Sequence, residues 1–471
     1  MLEKINEVLV KVNDVVWGLP LIILILSTGI YLTIRLKGVQ FHKLGHGLKH
    51  MFSKDAGEPG EVSSFGALCT ALSATIGTGN IVGVATAIVA GGPGAMFWMW
   101  LAALVGMATK YAECLLSVKY RKVTEDGHIV GGPFYYIENG MGAKWKWLAK
   151  LFAIFGVGVG LLGIGTFTQI NGIANATTTF FDPLKTNTVN IFGRDYSWVI
   201  VITAIVVTLF VALVLLGGIK RISSVAQVIV PFMAIAYVLF AVLIICVNIK
   251  AVPDAFRQII EGAFNPKAVT GGAIGSIIVV MQKGIARGIF SNEAGLGSAP
   301  IAAAAARTDE PARQGLVSML GTFFDTIVIC TMTGLAIIIT GAWKSGADGY
   351  AVTELAFGSG LPIPDKISSF VLMLCLTFFA FTTILGWNYY SEKCLEYLTG
   401  GKMKLVKIFR VVYIACVFVG PFLTIKAVWT IADIFNGLMA IPNLIAVIAL
   451  SGVVASETKK YIDKISKEKK K

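Results

Sequence analysis

Six consecutive residues, Thr75 to Asn80, interrupt an apolar stretch that is long enough to cross a membrane. They comprise two threonines, two glycines, one isoleucine and one asparagine, and most of these residue types weaken a helix. Inside a bilayer every backbone N–H and C=O group needs a hydrogen-bond partner, so an unwound segment persists only where it lines a cavity or binds a ligand. Freed carbonyls can coordinate a cation, and the N–H groups of the next half-helix can bind a carboxylate. The segment therefore predicts a transporter with a binding site near the middle of the membrane, the alternative being a packing face of small residues.

A second apolar helix, predicted over residues 275–297, is interrupted in the same way by polar and glycine-rich residues. Two interrupted helices at corresponding positions of two halves are typical of the binding sites of secondary transporters. In this helix the side chain of Gln282 and the backbone near Val279 are candidate substrate contacts. Charged residues at membrane depth are functional by default. Arg287 and Glu293 are therefore interpreted as a gate pair near the cytoplasmic end of the span, or else as a structural cap.

Polar residues also occur in two other apolar stretches. Thr382 and Thr383 are adjacent hydroxyls that could supply oxygen ligands to sodium, or could simply bond carbonyls of the preceding turn. One turn further, Trp387 could wall a pocket and limit side-chain size, or could belong to an interfacial aromatic belt. Gln169, close to Phe167 on a glycine-rich stretch, could accept a hydrogen bond from an ammonium group, or could hold two helices together.

The composition restricts the class of protein. Of the 471 residues, 56% are hydrophobic and 14% are charged, and the mean hydropathy is +0.76. Repeated apolar runs of about 20 residues are typical of helical membrane proteins, whereas a membrane β-barrel would alternate polar and apolar residues in short segments. We therefore expect an all-α polytopic membrane protein with eleven transmembrane helices. The predicted spans are 15–36, 63–90, 94–118, 149–176, 197–217, 223–247, 270–290, 314–341, 367–390, 407–425 and 428–455.

The net charge of +13 is distributed unevenly along the chain. With eleven spans and the N-terminus outside, most lysines and arginines fall in the loops and tail on the cytoplasmic side, as the positive-inside rule requires. The basic excess therefore predicts an orientation in the cytoplasmic membrane, with the C-terminus inside, and no nucleic-acid partner. The sequence contains no Walker run, so neither a nucleotide partner nor an ATP-driven pump is expected.

The predicted spans fall into two groups of five after the first. Because five is odd, the second group is inverted relative to the first, which is the 5+5 inverted repeat of many secondary transporters. The predicted regions are an N-terminal span with an amphipathic cytoplasmic segment, two five-helix repeats and a basic cytoplasmic tail, over residues 1–62, 63–247, 270–455 and 456–471.

Around both interruptions the chain resembles the alanine or glycine:cation symporter family, a branch of the transporters that share the LeuT fold. The runs Gly91–Gly106 and Gly284–Pro300 are similar to two blocks that are typical of this family. The resemblance covers nearly the whole chain. It implies a LeuT-like fold, sodium as the coupling ion, and uptake of alanine, with glycine as a further candidate substrate.

The resemblance also implies ligands for sodium and for the substrate. The expected sodium ligands are Ser73, Ile76, Thr382 and Thr383 for one ion, and Thr75 with Asn80 for a second. Backbone N–H groups of the first interruption are expected to bind the substrate carboxylate. The residues expected to contact the substrate are Gly77, Thr78, Gly79, Asn80, Phe167, Gln169, Val279, Gln282, Thr383 and Trp387.

The main hypothesis is a sodium-coupled symporter for small neutral amino acids, and no enzymatic activity is expected. The nearest alternative is a proton-coupled amino-acid transporter on the same fold. Asp325 and Asp433 could carry protons or ions, or could be hydrogen-bonded braces. A channel or an amino-acid sensor is a further alternative, although no loop is long enough for a signalling domain.

Overall fold

The computed structural model of the chain describes residues 2–53, 59–124, 128–191, 193–265, 277–423 and 425–468. Across these residues the fold is mostly α-helical, with two short antiparallel β-hairpins. Nine of the described helices are long and apolar enough to cross a membrane, and a tenth candidate consists of two helices that meet at a bend. The structure therefore confirms a multi-pass helical membrane protein, while the count of eleven spans stays a prediction.

The chain begins with two helices in series where the sequence predicted one span. α1 (Leu2–Val16) precedes α2 (Leu19–Arg35), and only α2 lies wholly within the predicted span. The indole N–H of Trp17, between them, donates to the carbonyl of Asp433 at 2.8 Å and attaches this region to a helix near the end of the chain. The predicted amphipathic segment folds as α3 (Val39–His42) and α4 (Leu44–Met51).

The first interrupted helix is bent at its interruption. α5 (Ser64–Thr75) begins where the hydroxyl of Ser63 accepts a hydrogen bond from the N–H of Gly66 at 3.0 Å, an N-terminal cap. After the break the chain resumes as one π-helical turn (Gly79–Gly83) that continues into α6 (Val84–Gly91). The two halves meet at 52°. π-helical turns are rare overall, and those that do occur are often found at functional sites.

The helices that follow the first break divide into central and peripheral ones. In chain order, with the strands of the two hairpins, these elements are α7 (Ala95–Lys119), β1 (Lys122–Val123), β2 (Ile129–Val130), α8 (Pro133–Gly140), α9 (Lys146–Leu162), α10 (Phe167–Phe181), β3 (Thr188–Ile191), β4 (Arg194–Ser197), α11 (Trp198–Leu215), α12 (Gly218–Val247) and α13 (Val252–Phe264). In α7, 83% of the apolar window is buried inside the protein, against 28% in α11 and in α12. α7 is therefore central, and the exposed apolar faces of α11 and α12 are suited to lipid.

The second interrupted helix contains two polar, glycine-rich runs, 281–288 and 291–297, and the chain unwinds only in the second of them. α14 (Ile277–Asn292) stays regular through its polar and glycine-rich centre, and the chain unwinds only before α15 (Ala299–Ala304). In the unwound segment Glu293, Gly295 and Gly297 have φ of +57°, +91° and +81°. Glycine adopts this region readily, whereas a side chain costs roughly 1–2 kcal/mol there. Contacts around Glu293 must therefore hold it in place. The predicted beginning of this helix lies outside the described residues.

The last third of the chain completes the bundle. Its helical elements are α16 (Pro311–Thr322), a π-helical turn (Phe323–Cys330), α17 (Thr331–Thr340), α18 (Tyr350–Gly360), α19 (Asp365–Leu398), α20 (Met403–Val419), α21 (Ile425–Ala449) and α22 (Ser451–Glu468). The predicted start of the basic tail falls inside α22. α14 and α15 both pack against α7, while α19 packs against α5, α9, α10 and α12. The two breaks are thus surrounded by other helices at the centre of the protein.

Candidate binding site at the helix breaks

The first break is completely enclosed by other parts of the protein. Ile76, Thr78 and Asn80 are at most 1% exposed. A Cβ atom on Gly77 would lie 2.6 Å from the hydroxyl oxygen of Thr383 and 2.9 Å from the side-chain oxygen of a glutamine on α10. Any other residue would bring its Cβ atom too close to these two polar side chains, so the position requires glycine unless they move.

Neutral side chains bind the backbone N–H groups that this break frees. The side-chain oxygen of Asn80 accepts from the N–H of Gly77 at 2.9 Å, and that of Gln169 accepts from the N–H of Thr78 at 3.0 Å. The hydroxyl oxygen of Thr78 is buried and has no hydrogen-bond partner among the described residues. The segment thus presents N–H groups and a hydroxyl to the space between α5, α10 and α19.

The two threonines of α19 have different surroundings. Thr383 donates to the carbonyl of Ile76 at 3.1 Å, and its hydroxyl also lies 3.0 Å from the carbonyl of Phe379. The hydroxyl of Thr382 donates to the carbonyl of Phe379 at 3.0 Å and lies 3.7 Å from the sulfur of Met233 on α12. Of the two predicted sodium ligands, Thr383 therefore contacts the break, whereas Thr382 faces α12.

Two hydroxyls of α5 bond within their own helix: that of Ser73, whose backbone carbonyl is the predicted sodium ligand, and that of Thr75. Ser73 donates to the carbonyl of Thr70 at 2.7 Å. The hydroxyl of Thr75 lies 3.3 Å from the carbonyls of both Ala71 and Leu72. Such bonds to the preceding turn are common for serine and threonine in membrane helices. An ion bound to either hydroxyl oxygen would have to coexist with these intrahelical hydrogen bonds.

Asp325 connects the two interrupted helices, a role that the sequence left open. It lies on the π-helical turn after α16 and is 0% exposed. One carboxylate oxygen accepts from the amide of Asn80 at 2.7 Å, and the other accepts from the hydroxyls of Ser291 at 2.8 Å and Thr326 at 2.7 Å. An acidic residue at membrane depth was the signal that could have marked it. Asn80 and Ser291 lie 245 and 34 positions away from it, so no local pattern indicated the contact between the two interrupted helices.

Charged groups surround the second break. The carboxylate of Glu293 accepts from the indole N–H of Trp387 at 2.7 Å and from the hydroxyl of Ser298 at 2.5 Å. The ammonium group of Lys110 donates to the backbone carbonyl of Glu293 at 3.1 Å. Trp387 is 1% exposed and therefore lies inside the protein, not in an interfacial belt. These contacts account for the left-handed backbone of Glu293.

Val279 and Gln282 lie away from both breaks. Val280, between them, packs against Gly91 at the far end of α6. Because α14 is regular, Gln282 lies roughly 16 Å along the helix axis from the second break, at about 1.5 Å per residue. The prediction that these two residues line one pocket with the first break is therefore corrected. Polar and glycine residues at the middle of α14 did not unwind it.

On α10 the predicted residues divide between two surfaces. Gln169 reaches the first break, as described above. The side-chain amide of Asn171 instead donates to the carbonyls of Phe167 at 2.9 Å and Gly420 at 2.8 Å. A Cβ atom on Gly420 would lie 3.1 Å from the ring of Phe167. Phe167 and Asn171 therefore pack against the segment after α20, and the structure does not bring Phe167 to the first break.

Arg287 forms an ion pair with Asp433 and not with Glu293. Its two terminal nitrogens lie 3.1 and 2.8 Å from the two carboxylate oxygens of Asp433. The guanidinium also lies over the rings of Phe290 and Trp429, at 5.3 and 5.6 Å from their centroids. The predicted pairing of Arg287 with Glu293 is thus corrected: Glu293 lies in the unwound segment after α14, where its carboxylate is bound by Trp387 and Ser298.

A cavity of about 420 Å³ adjoins this ion pair. Its walls include Arg287, Trp429, Tyr350 and Asn175, together with residues of α1. At the opposite end of the two interrupted helices the chain is tied together: Val62, before α5, forms a parallel bridge with a residue after α15. The interrupted helices therefore have a cavity beside them at one end, and at the other, the closed end, the segments that flank them are bonded to each other.

One arginine reinforces the closed end. The guanidinium of Arg121 donates to the carbonyls of Ala304, Ala306 and Thr308 at 2.8, 2.7 and 2.6 Å, and to that of Pro59 at 2.9 Å. These carbonyls belong to the segment that precedes α5, to the last residue of α15 and to the segment that follows it. Four hydrogen bonds from one side chain therefore fix the ends of both interrupted helices to each other.

The chain matches known proteins over nearly its full length. The family model described as the sodium:alanine symporter family matches residues 2–471. The chain is 55% identical over 464 residues to an uncharacterized transporter of Haemophilus influenzae, covering 98% of this chain and 97% of that one. It is 48% identical over 460 residues to the sodium/alanine symporter AgcS of Methanococcus maripaludis, covering 96% of each.

The fold is similar to that of MhsT, a transporter with the LeuT fold whose crystal structure contains L-phenylalanine. The TM-score is 0.57 at 14% sequence identity, over 84% of this chain and 90% of MhsT. At this identity the likeness concerns the fold alone.

Proposed function

We propose, on the premise that this chain belongs to the sodium:alanine symporter family, that it is a sodium-coupled symporter importing alanine across the cytoplasmic membrane. Glycine is a further candidate substrate. The observation that carries the proposal is the first break, where Asn80, Gln169 and Thr383 bind the freed backbone through neutral oxygen and hydroxyl groups. Neutral hydrogen bonds can be exchanged for a charged ligand at modest cost.

The substrate carboxylate is assigned to the N–H groups of Gly77, Thr78 and Gly79. These groups precede the half-helix that ends at Gly91, and a helix N-terminus favours an anion. The buried hydroxyl of Thr78, which has no partner among the described residues, would be satisfied by the same ligand. The side-chain oxygen of Gln169 can accept a second hydrogen bond, from the substrate ammonium.

Sodium is assigned to oxygen atoms on either side of the carboxylate position. The carbonyl of Ile76 and the hydroxyl of Thr383 would hold one ion with the carbonyl of Ser73, and Thr75 and Asn80 would face a second ion. These carbonyl, hydroxyl and amide oxygens suit a hard cation. Both sites share the unwound segment with the substrate, so binding of sodium orders the backbone that the substrate needs, and the two affinities rise together.

The two ends of the breaks are assigned to the two sides of the membrane. With the N-terminus outside, the cavity beside Arg287 opens outward, and the end held by Arg121 faces the cytoplasm. Arg287 and Asp433 then act as an outer gate above the site. We assign the chain eleven spans with an inverted 5+5 repeat, in which movement of the interrupted helices exposes the site to each side in turn.

The test is uptake into liposomes that contain the purified protein. Labelled alanine is expected to accumulate when a sodium gradient is imposed, and glycine is expected to compete more strongly than leucine because the site is closely enclosed. Absence of sodium-dependent accumulation would contradict symport. Equal competition by leucine would contradict a small pocket.

A proton-coupled transporter is the second candidate, and the buried carboxylate of Asp325 between the two breaks favours it. A proton gradient without sodium distinguishes the two in the same liposomes. Accumulation driven by protons alone would exclude the sodium assignments while leaving the substrate assignment in place.

Two threonines of α19 provide a matched pair of variants for the ion site. Thr383→Val removes the hydroxyl beside the carbonyl of Ile76, so the sodium concentration needed for half-maximal uptake should rise about tenfold, the equivalent of about 1.4 kcal/mol. Among the residues that the structure describes, the hydroxyl of Thr377 bonds the carbonyl of Met373 in its own helix, at 2.8 Å. Thr377→Val should leave the sodium dependence unchanged, and an equal effect of both variants would remove Thr383 from the site.

A further inference from the structure

Three ionisable side chains beside the second break take no part in the function proposed above. Lys110 and Glu113 lie one turn apart on α7, and Glu293 lies in the unwound segment. Each is at most 1% exposed. If all three were ionised, the cluster would hold one positive and two negative charges inside the membrane-spanning part of the protein. Ionised groups at such depth require partners.

The hydrogen bonds around Glu293 favour its ionised form. The indole N–H of Trp387 is a donor and cannot accept, and the hydroxyl of Ser298 donates to the other carboxylate oxygen. Two donors stabilise a carboxylate over a carboxylic acid. The ammonium group of Lys110, on the carbonyl of the same residue, supplies the balancing positive charge.

Glu113 has different surroundings. One of its carboxyl oxygens accepts from the side-chain amide of Asn443, whose second N–H donates to the carbonyl of Gly295 at 2.8 Å. The oxygen of that amide accepts from the hydroxyl of Tyr136. The other oxygen of Glu113, Oε2, is buried and has no hydrogen-bond partner among the described residues. The backbone N–H groups of Gly295 and Gly297 also act on this carboxyl group, but Lys110 is shared with the carboxylate of Glu293, so an ionised Glu113 would be a buried negative charge with only partial compensation, which is unfavourable.

We propose that Glu113 binds a proton at Oε2 in the conformation of this structure, here called the closed form because the second break is fully buried, and that the proton leaves when this break moves. On release, the proton passes from Oε2 to water on the side that opens, and the net charge of the cluster changes from zero to −1. The ionised Glu113 then competes with the carbonyl of Glu293 for Lys110. Through Asn443, its altered charge also acts on the backbone of Gly295. Proton binding at Glu113 is thus coupled to the shape of the break.

Four other titratable groups among the described residues face this cluster. They are Cys114 of α7, Tyr136 of α8, Asp325 of the π-helical turn and Tyr390 of α19, beside Lys110 and Glu293 themselves. The thiol and the two phenols are neutral near pH 7. Asp325 is bound by three donors from Asn80, Ser291 and Thr326, which favour its ionised form. Glu113 is the member of the set whose second oxygen lacks a donor.

The experiment compares the pH dependence of uptake for wild type and Glu113→Gln at saturating sodium. It rests on the transport proposed above. Lower pH fills the proton site and stabilises the closed form, so wild-type uptake should fall several-fold from about pH 8 to about pH 5.5, a range over which a buried carboxyl group can titrate. Glu113→Gln is permanently neutral and should show the low rate at every pH. Uptake by wild type that is independent of pH, or a variant that keeps the wild-type profile, would overturn the proposal.

A histidine outside the cluster supplies the control. The imidazole of His128 lies 2.7 Å from a carboxylate oxygen of Glu61 at the closed end, and histidine is the type of side chain that commonly changes charge near neutral pH. His128→Gln should keep the wild-type profile, and loss of the profile in this variant would transfer the pH dependence to His128. If Glu113→Gln does not fold, Glu113→Asp retains a titratable group in altered surroundings. Its profile should then be displaced, and an unchanged profile would contradict the proposal.

A measurement that does not depend on transport separates this inference from the proposed function. Infrared difference spectra of the purified protein should contain the carbonyl band of a buried carboxylic acid in wild type and lack it in Glu113→Gln. If alanine uptake is absent but this band is present and lost in the variant, the proton site stands while the transport assignment fails. A band that is absent from wild type, or that persists in the variant, would refute the proton site itself.

Discussion

The two helix breaks differ in the chemistry that holds them. At the first break, the neutral amide and hydroxyl groups of Asn80, Gln169 and Thr383 form hydrogen bonds with backbone N–H and C=O groups. A ligand could bind the same backbone groups in their place. At the second, Lys110 and Glu293 bring full charges to the unwound segment, and Glu293 is itself part of that segment. A typical neutral hydrogen bond contributes about 0.5–1.5 kcal/mol net, whereas breaking a buried ionic interaction costs about 3–5 kcal/mol.

This difference suggests a division of roles. Interactions of low net value can be exchanged for substrate and sodium in each transport cycle, so the first break is suited to binding. Interactions that are costly to break are suited to fixing a conformation, so the second break is suited to holding the closed form. Asp325, which accepts hydrogen bonds from both Asn80 and Ser291, is the direct connection between them.

The largest effect is expected for Lys110→Met at the second break. The variant leaves the carboxylate of Glu293 without a balancing charge and its carbonyl without this donor, so the free energy of unfolding should fall by about 3–5 kcal/mol. Thermal unfolding of the purified protein, followed by intrinsic fluorescence, measures the change. Adding Glu293→Gln should recover part of the loss because it removes the unbalanced charge. An unchanged unfolding temperature for Lys110→Met would show that the second break is not held by charge.

Asn80→Ala tests the first break and should act mainly on ligand binding. It removes the acceptor for the N–H of Gly77 and a donor to Asp325, so sodium-dependent alanine binding should weaken by about 1.4–2.8 kcal/mol, or roughly 10- to 100-fold. The loss of stability should be smaller than for Lys110→Met. Equilibrium binding of labelled alanine over a range of sodium concentrations measures the effect. The control is the exposed Asn187 on the loop before β3, and Asn187→Ala should bind alanine with the wild-type affinity. If Asn80→Ala also bound alanine with the wild-type affinity, Asn80 would not belong to the site.

The sequence predicted the first break well because its cause is local. The break is a run of six residues between apolar stretches, and it contains two glycines and three polar side chains. Such a run disfavours a regular membrane helix wherever it occurs. The second break could not be placed in the same way. Glycine and polar residues are spread along α14, and the position that unwinds is decided by Trp387 and Lys110, which contact Glu293 from 94 and 183 positions away.

The partner of Arg287 was missed for the same reason. The bond to Asp433 joins residues 146 positions apart, so only the packing of α14 against α21 determines it. The sequence marks the run 291–297, with Gly295 and Gly297, as a candidate break, but it offers an equally glycine-rich run at 281–288 that remains helical. Local composition thus identifies which helices are unstable, and tertiary contacts decide where each one opens.

Gly77→Ala tests how closely the first break is enclosed. The added methyl group would lie 2.6 Å from the hydroxyl of Thr383 and 2.9 Å from the side-chain oxygen of Gln169, and displacing them should cost about 1–3 kcal/mol. Alanine uptake at a fixed sodium gradient should therefore fall by about tenfold or more, since about 1.4 kcal/mol corresponds to a factor of ten. Gly321 is a matched control on α16, because a methyl group there meets only Leu68 and Leu72 at ordinary contact distances. If Gly321→Ala reduced uptake equally, the effect would reflect helix packing in general.

The smallest effect is expected for Arg287→Lys, beside the cavity. Lysine keeps the charge opposite Asp433 but loses the paired hydrogen bonds and the planar contact with the rings of Phe290 and Trp429. The pair is partly exposed, at 20% and 10% of the two side chains, so the loss should be about 1 kcal/mol, or roughly a fivefold lower rate of uptake. The control is Arg257→Lys in a surface pair on α13 that is 67% and 51% exposed, which should leave uptake unchanged. If Arg287→Lys abolished alanine binding altogether, a charged group would belong to the ligand site, and the division between a neutral first break and a charged second break would no longer hold.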